Sequence, residues 1–264
     1  MPNSTSLAMD QKDLDMILVL DFGSQYTQLI ARRVRELDVF SEILPWDISS
    51  ERIQALKPSG IILSGGPESV TGSNTPRIPE VVFDLDIPIL GICYGMQTLA
   101  EQFGGQVTPS KTKEFGHAEI IIEEKSVLFE GFSAGSSIDV WMSHGDHVST
   151  LPDQFKLLAS TASAPIAAMQ HSTKSIFALQ FHPEVTHTKQ GSMVLENFVF
   201  KVCNCSADWK MENLIEQRII DIKERVGDQK VLLGLSGGVD SSVTAMLLDR
   251  AIGRNLICVF VDNG

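Results

Sequence analysis

Three short apolar runs do most to fix what this chain can fold into. Ile17–Leu20 ends at Asp21-Phe22-Gly23, Ile61–Leu63 at Ser64-Gly65-Gly66-Pro67, and Ile87–Cys93 at a Tyr-Gly turn. Helical spacing follows the first, with Leu29, Ile30, Val34 and Leu37 within 25–37, and the third, through Met96, Leu99 and Phe103. Uninterrupted apolar strands joined by helices predict an α/β domain, a mostly parallel sheet covered by helices on both faces. The stretch 117–180 reads differently. Runs at Ala118–Ile122, Ile138–Met142, Phe155–Ala159 and Ile176–Phe181 lack helical spacers, so they are expected to be strands, some antiparallel. A helix is expected over Gln190–Val202, which closes a first domain at about 16–206.

A second unit is expected over 207–264: helix Trp209–Val226, strand Lys230–Leu235, helix Val239–Ile252 and strand Leu256–Val261. One β-α-β unit of under ~60 residues buries too little surface to stand comfortably alone. The domain is therefore expected to be truncated here, leaving Leu232, Leu233, Ile257, Val259 and Phe260 short of packing partners.

The net charge of -12 argues against a nucleic-acid partner and against an anionic membrane surface. It still allows small anions, which backbone N–H groups can hold. Residues 1–15 are polar and acidic and lack the basic start and apolar core of a signal peptide, so a disordered tail on a cytoplasmic protein is expected. No apolar run reaches the roughly 20 residues that span a bilayer. Cys93, Cys203, Cys205 and Cys258 are too few for a disulfide framework, and Cys203 with Cys205 lacks the second pair of a zinc site.

The chemistry concentrates at two places. Gly91, Cys93 and Gly95 form G-x-C-x-G, the thiol version of the nucleophile elbow, a sharp strand-to-helix turn. The helix N-terminus stabilises negative charge there, and the backbone N–H groups of Tyr94 and Gly66 can face a developing oxyanion. Residues 180–184 read Gln-Phe-His-Pro-Glu. On an extended chain His182 and Glu184 share a face, so the carboxylate can orient the imidazole toward the thiol. These residues alone leave a buried structural cysteine and a structural histidine as alternatives. The second place is Gly-Leu-Ser-Gly-Gly-Val-Asp-Ser-Ser at 234–242, an anion-binding turn at a helix start that lacks the Lys-Ser/Thr ending of a Walker A loop.

GICYGMQ, SGGPESV, WMSHGD and QFHPEVTHT together resemble the class I glutamine amidotransferases. The resemblance implies a flavodoxin-like sheet, a catalytic Cys93–His182–Glu184 triad and an oxyanion hole from the backbone of Gly66 and Tyr94. It also implies glutamine binding by Gln97, Ser143, His144 and Asp146, with Asp146 on the substrate ammonium. No role follows for His147 or His187. The string at 234–242 resembles the loop of ATP pyrophosphatases, an adenine-nucleotide α-hydrolase-like unit. That implies Ser236, Gly237, Gly238, Val239, Asp240, Ser241 and Ser242 around the phosphates of ATP, with Asp240 on Mg²⁺. The order of the two modules resembles the family of GMP-forming amidotransferases. It implies glutamine, ATP with Mg²⁺, and xanthosine 5′-monophosphate (XMP) as substrates, no prosthetic group, and a homodimer formed through a later region. A glutaminase domain of another synthase and a catalytically silent fragment are the competing expectations.

Overall fold

Strand β1 (Met16–Asp21) shows how the sheet is built, because its alternate side chains enter two different cores. In this computed structural model, which describes residues 14–162 and 164–260 with the side chains of 110–113 and 213 left aside, Ile17 and Val19 pack with Ile30, Ala31 and Val34 of helix α1 (Thr27–Arg35). Leu18 and Leu20 face the other way, into a core shared with Ile53 of α2 (Ser50–Leu56), Val81 and Val82 of α3 (Val81–Asp84), and Met96 and Leu99 of α4 (Tyr94–Gln102). Helices therefore cover both faces, and every side chain from Met16 to Leu20 is buried.

The sheet has nine strands. Beside β1 lie β2 (Phe40–Pro45) and β3 (Gly60–Leu63), then β4 (Ile89–Ile92) and β9 (Ile176–Leu179), all parallel. The sheet continues antiparallel through β8 (Ala168–His171), β7 (Phe155–Ser160), β5 (Gln106–Ile122) and β6 (Ser137–Thr150). In a parallel sheet the turns after successive strands gather at one end, where ligands bind. Here those turns are 22–26 after β1, 64–70 after β3, Cys93 after β4 and Gln180–His182 after β9. Strands β4 and β9 are neighbours in register, Ile92 against Leu179, and the Cys93 N–H donates to the Leu179 carbonyl at 2.7 Å. That pairing sets the nucleophile beside the histidine strand.

Three details differ from the sequence reading. Strands β2 and β8 carried no clear apolar run. The helix expected over Gln190–Val202 is α-helical only over α5 (Gly191–Glu196) and becomes a π-helix over Asn197–Val202. At the point of change the Asn197 side-chain amide donates to the Leu128 and Glu130 carbonyls at 3.1 and 2.8 Å, which ties the helix to the 127–130 turn.

The chain divides into compact units at Asp208/Trp209. The later unit holds α6 (Met211–Val226), β10 (Val231–Leu235), α7 (Val239–Ile252) and β11 (Leu256–Phe260), with β10 and β11 parallel. Arg250 of α7 ion-pairs with Glu216 of α6 at 2.5 Å. Leu232, Ile257, Val259 and Phe260 are exposed, and Leu233 is half-buried. Of the expected N-terminal tail only Leu14 and Asp15 are described. Val261 and the closing Asp262-Asn263-Gly264 also lie outside the described residues.

Candidate active site

Cys93 occupies a backbone conformation that side-chain-bearing residues avoid, with φ +52° and ψ -104°. Such strain costs on the order of 1–3 kcal/mol and persists only where the surroundings enforce it. They do so through two glycines. A Cβ at Gly95 would lie 2.5 Å from the Leu63 carbonyl oxygen, and one at Gly91 would lie 2.8 Å from the Gly95 backbone. The elbow is thus clamped between β3 and the first turn of α4, with Cys93 immediately before the helix.

The thiol opens onto a cavity of about 570 Å³. Gly66, Gln97, Ser143, His144, Asp146 and His182 line it with Cys93. Six of the residues singled out from the sequence therefore meet the nucleophile in one place. Glu184 stands behind His182, fully buried, with Oε1 2.7 Å from Nδ1. Tyr94 is buried, its hydroxyl donates to the Pro76 carbonyl at 2.7 Å, and it is not among the residues that line the cavity. As the first residue of α4 it carries an N–H with no acceptor inside the helix.

Burial opposes a charge on His182. The Glu184 carboxylate and the nearby Cys93 sulfur outweigh it and hold the imidazole well above its ordinary value of 6.5. The backbone around it is fixed from two sides. The His182 N–H donates to the Trp141 carbonyl of β6 at 3.0 Å, and the Thr188 hydroxyl donates to the His182 carbonyl at 2.6 Å while accepting from the Trp141 N–H at 3.0 Å. The base is thereby tied to the strand that carries Ser143–Asp146.

The glutamine-binding candidates are linked to one another. Gln97 Nε2 donates to the Asp146 carbonyl at 2.7 Å, and the Cys93 thiol lies 3.5 Å from the Ser143 carbonyl. The Asp146 carboxylate accepts from the Ser69 hydroxyl. His144 is buried; burial lowers its pKa against the opposing pull of Glu114. Ser69, Tyr26 and Gln180 escaped the sequence reading. Gln180 Nε2 sits 3.7 Å from the Cys93 sulfur, and the Tyr26 ring meets the His182 imidazole edge-on at 5.1 Å. All three lie inside or beside the quoted motifs, but a role emerges only when the strands are assembled. His187 stacks on Trp141 at 4.4 Å.

Ser236–Ser242 lie in the later unit. Gly237 takes φ +78° and Gly238 caps α7. The Ser241 and Ser242 hydroxyls donate to the Gly238 carbonyl at 3.0 and 2.9 Å, and Ser236 bonds Ser241 at 3.1 Å. Asp240 stands in the first helical turn. Among the described residues no group of three His, Cys, Asp or Glu side chains is placed to hold a metal, and no helix is long and apolar enough to cross a membrane.

A family model for class I glutamine amidotransferase matches residues 18–202, and this chain belongs to that family. A model for NAD synthase matches residues 211–261. Similar proteins include those named GMP synthase (glutamine-hydrolyzing) from Mannheimia succiniciproducens, 56% identical over 94% of this chain, and from Ectopseudomonas mendocina, 57% identical over 94%. The chain spans 48% of each, about half the length of the curated relatives it matches. Among solved structures, a Thermoplasma acidophilum protein proposed to be one of the subunits of a GMP synthase is 36% identical, with a TM-score of 0.63 over 72% of this chain and 94% of that one. A glutamine amidotransferase from Thermotoga maritima, at 19% identity and TM-score 0.52, shares the fold.

Proposed function

We propose that this chain hydrolyses glutamine at Cys93, with His182 as acid and base and Glu184 as the group that orients it. The observation that carries the reading is the strained Cys93 elbow opening into the same cavity as an imidazole buried against Glu184. The Cys93 thiolate attacks the side-chain amide carbon, and the Gly66 and Tyr94 N–H groups receive the oxyanion. His182 protonates the departing nitrogen, which leaves as ammonia, and a thioester remains. Water attacks the thioester, His182 takes its proton, and glutamate leaves as the thiolate re-forms. Gln97 and Ser143–Asp146 hold the amino-acid end, with the Asp146 carboxylate opposite the substrate ammonium.

The similar proteins are named GMP synthase (glutamine-hydrolyzing); on this reading the ammonia serves an ATP-dependent amination, the conversion of XMP to GMP. ATP activates the acceptor oxygen by adenylation, pyrophosphate leaves, and ammonia then displaces AMP. The loop at 236–242 has a composition suited to the pyrophosphate: backbone donors at a helix start, three serine hydroxyls, and a glycine free to take positive φ. Asp240 would help hold the Mg²⁺ that arrives with ATP. Four free cysteines accord with a reducing, cytoplasmic setting.

The test is glutamate release from glutamine by the wild type and by Cys93→Ala, each with and without ATP and XMP. The wild type should release glutamate, and Cys93→Ala should lose roughly 10⁴-fold or more. No release by the wild type in any condition would overturn the reading. Release that persists in Cys93→Ala would overturn the mechanism.

A further inference from the structure

The pairing of β5 with β6 is irregular beside the cavity. Pro109 faces Asp146 and Glu114 faces His144, so five steps along β5 answer two along β6. Bulges re-aim side chains and recur next to active sites. This one sets Glu114 directly across from His144, with a carboxylate oxygen 3.3 Å from Nε2 and side chains only 14% and 2% exposed. Among the described residues no well-formed hydrogen bond reaches either oxygen of Glu114 or the ring nitrogens of His144, although all four atoms are buried; the His144 ring lies near the Asp146 backbone. A carboxylate removed from water without hydrogen bonds is costly, and an apolar side chain of similar volume is usually no worse for stability. The pair therefore calls for a reason other than folding.

Its position supplies one. Pro109 and Phe115 of β5 and Ser143–Asp146 of β6 all line the cavity, so Glu114, next to Phe115, links the β5 wall to His144 in the β6 wall. Hydrogen bonds of a site are often long or misaligned without substrate and tighten when it binds.

We propose that Glu114 is a positioning residue for glutamine: acting through His144, it sets the Ser143–Asp146 wall against which the substrate is held, and the Glu114–His144 bond closes as glutamine binds. The proposal rests on the glutaminase reading for its ligand, but it can fail separately. In Glu114→Met the unfolding midpoint should stay level or rise, while KM for glutamine rises about tenfold and kcat changes less than about threefold. Glu114→Gln, which keeps an acceptor for Nε2–H, should recover part of the KM. Combined with His144→Gln, Glu114→Met should add little further, because each removes the same link. Glutamine binding by calorimetry in the Cys93→Ala background repeats the comparison without turnover. An unchanged KM and unchanged binding in Glu114→Met would overturn the proposal. So would a loss of stability with kcat falling and KM fixed, the pattern of a structural residue. Absence of glutamate release by the wild type, with glutamine binding still weakened by Glu114→Met, would remove the glutaminase reading and leave this one standing.

Discussion

Strands β3 and β4 of the first unit and β10 and β11 of the second are alike as sequence: short, apolar and parallel-paired. Their surroundings are opposite. Every residue of β3 and β4 is buried, whereas β10 alternates half-buried and exposed residues and most of β11 is exposed. The functional turns that follow differ to match. Cys93 is held in a strained conformation by side chains and carbonyls from two other strands. The Ser236–Ser242 turn is held by its own hydroxyls and glycines, with hydrogen bonds that span five residues or fewer. A strained nucleophile needs an environment that over-determines it, while an anion-binding turn needs only a helix start and flexible backbone.

Truncating matched leucines should give the largest separation. Leu63 in β3 is fully buried and Leu232 in β10 is 71% exposed. Leu63→Ala should lower stability by about 2–5 kcal/mol, and Leu232→Ala should stay within about 0.5 kcal/mol. Urea unfolding followed by circular dichroism reads both. Equal losses at the two positions would break the contrast.

Paired glycines sharpen it. A Cβ at Gly95 meets the Leu63 carbonyl oxygen at 2.5 Å, while one at Gly234 in β10 meets nothing within 4 Å. Gly95→Ala should cost about 1–3 kcal/mol. Because the clash falls on the elbow, glutamate release should drop in the same variant even below its unfolding temperature. Gly234→Ala should be neutral or slightly stabilising, since it removes freedom from the unfolded chain. A well-folded, fully active Gly95→Ala would show that the elbow does not depend on that close approach.

Ser69→Ala tests a smaller effect within the cavity. It leaves the Asp146 carboxylate without the Ser69 hydroxyl. KM for glutamine should rise about three- to tenfold with kcat little changed, because a lost orienting hydrogen bond is worth about 1 kcal/mol. An unchanged KM would mean that Asp146 is placed by its backbone, through Gln97, rather than by its side-chain partner.

What the sequence made legible follows the same division. Features encoded within about ten residues could be read directly: the G-x-C-x-G elbow and the serine-glycine turn with its helix. His182 and Glu184 are expected to share a face of an extended chain, but β9 ends at Leu179 and the two meet across a turn. Features set by assembly could not be read directly. Strand β2 is Phe-Ser-Glu-Ile-Leu-Pro, at the sheet edge and mostly half-buried, so it has no apolar run to announce it. The π-helix after Glu196 begins where Asn197 bonds to carbonyls some 70 residues earlier, a contact that no local pattern announces. Gln180 could be quoted as part of a motif, but its approach to the Cys93 sulfur exists only because β9 lies beside β4. Glu114 lies outside every motif and faces His144 only through the bulge.

The smallest expected effect is one of sign, and it also separates the units, because all six histidines lie before residue 209. His171 is buried among Phe103 and Phe155. Its Nδ1 accepts from the Thr173 and Lys174 N–H groups at 3.1 and 3.0 Å, and its other nitrogen meets Gln154 at 2.9 Å. A protonated Nδ1 cannot accept those bonds. Burial, with Lys174 adding to it, accordingly lowers the His171 pKa below 6.5. The native state then binds fewer protons than the unfolded chain just below that pH, so the contribution of His171 is present above about 6.5 and is lost as pH falls through its lowered value. His182 runs the other way: its raised pKa gives a contribution present below about 6.5 and lost as pH rises through the folded value. Histidine-linked stability of the first unit should therefore decline toward both sides, while unfolding of the later unit should show no histidine-linked change. Urea midpoints measured from pH 5 to 8 check this, and His171→Gln should lessen the acid-side loss, the rest of which belongs to His144, whose pKa burial also lowers. An acid side that keeps its slope in His171→Gln would assign that loss to another group.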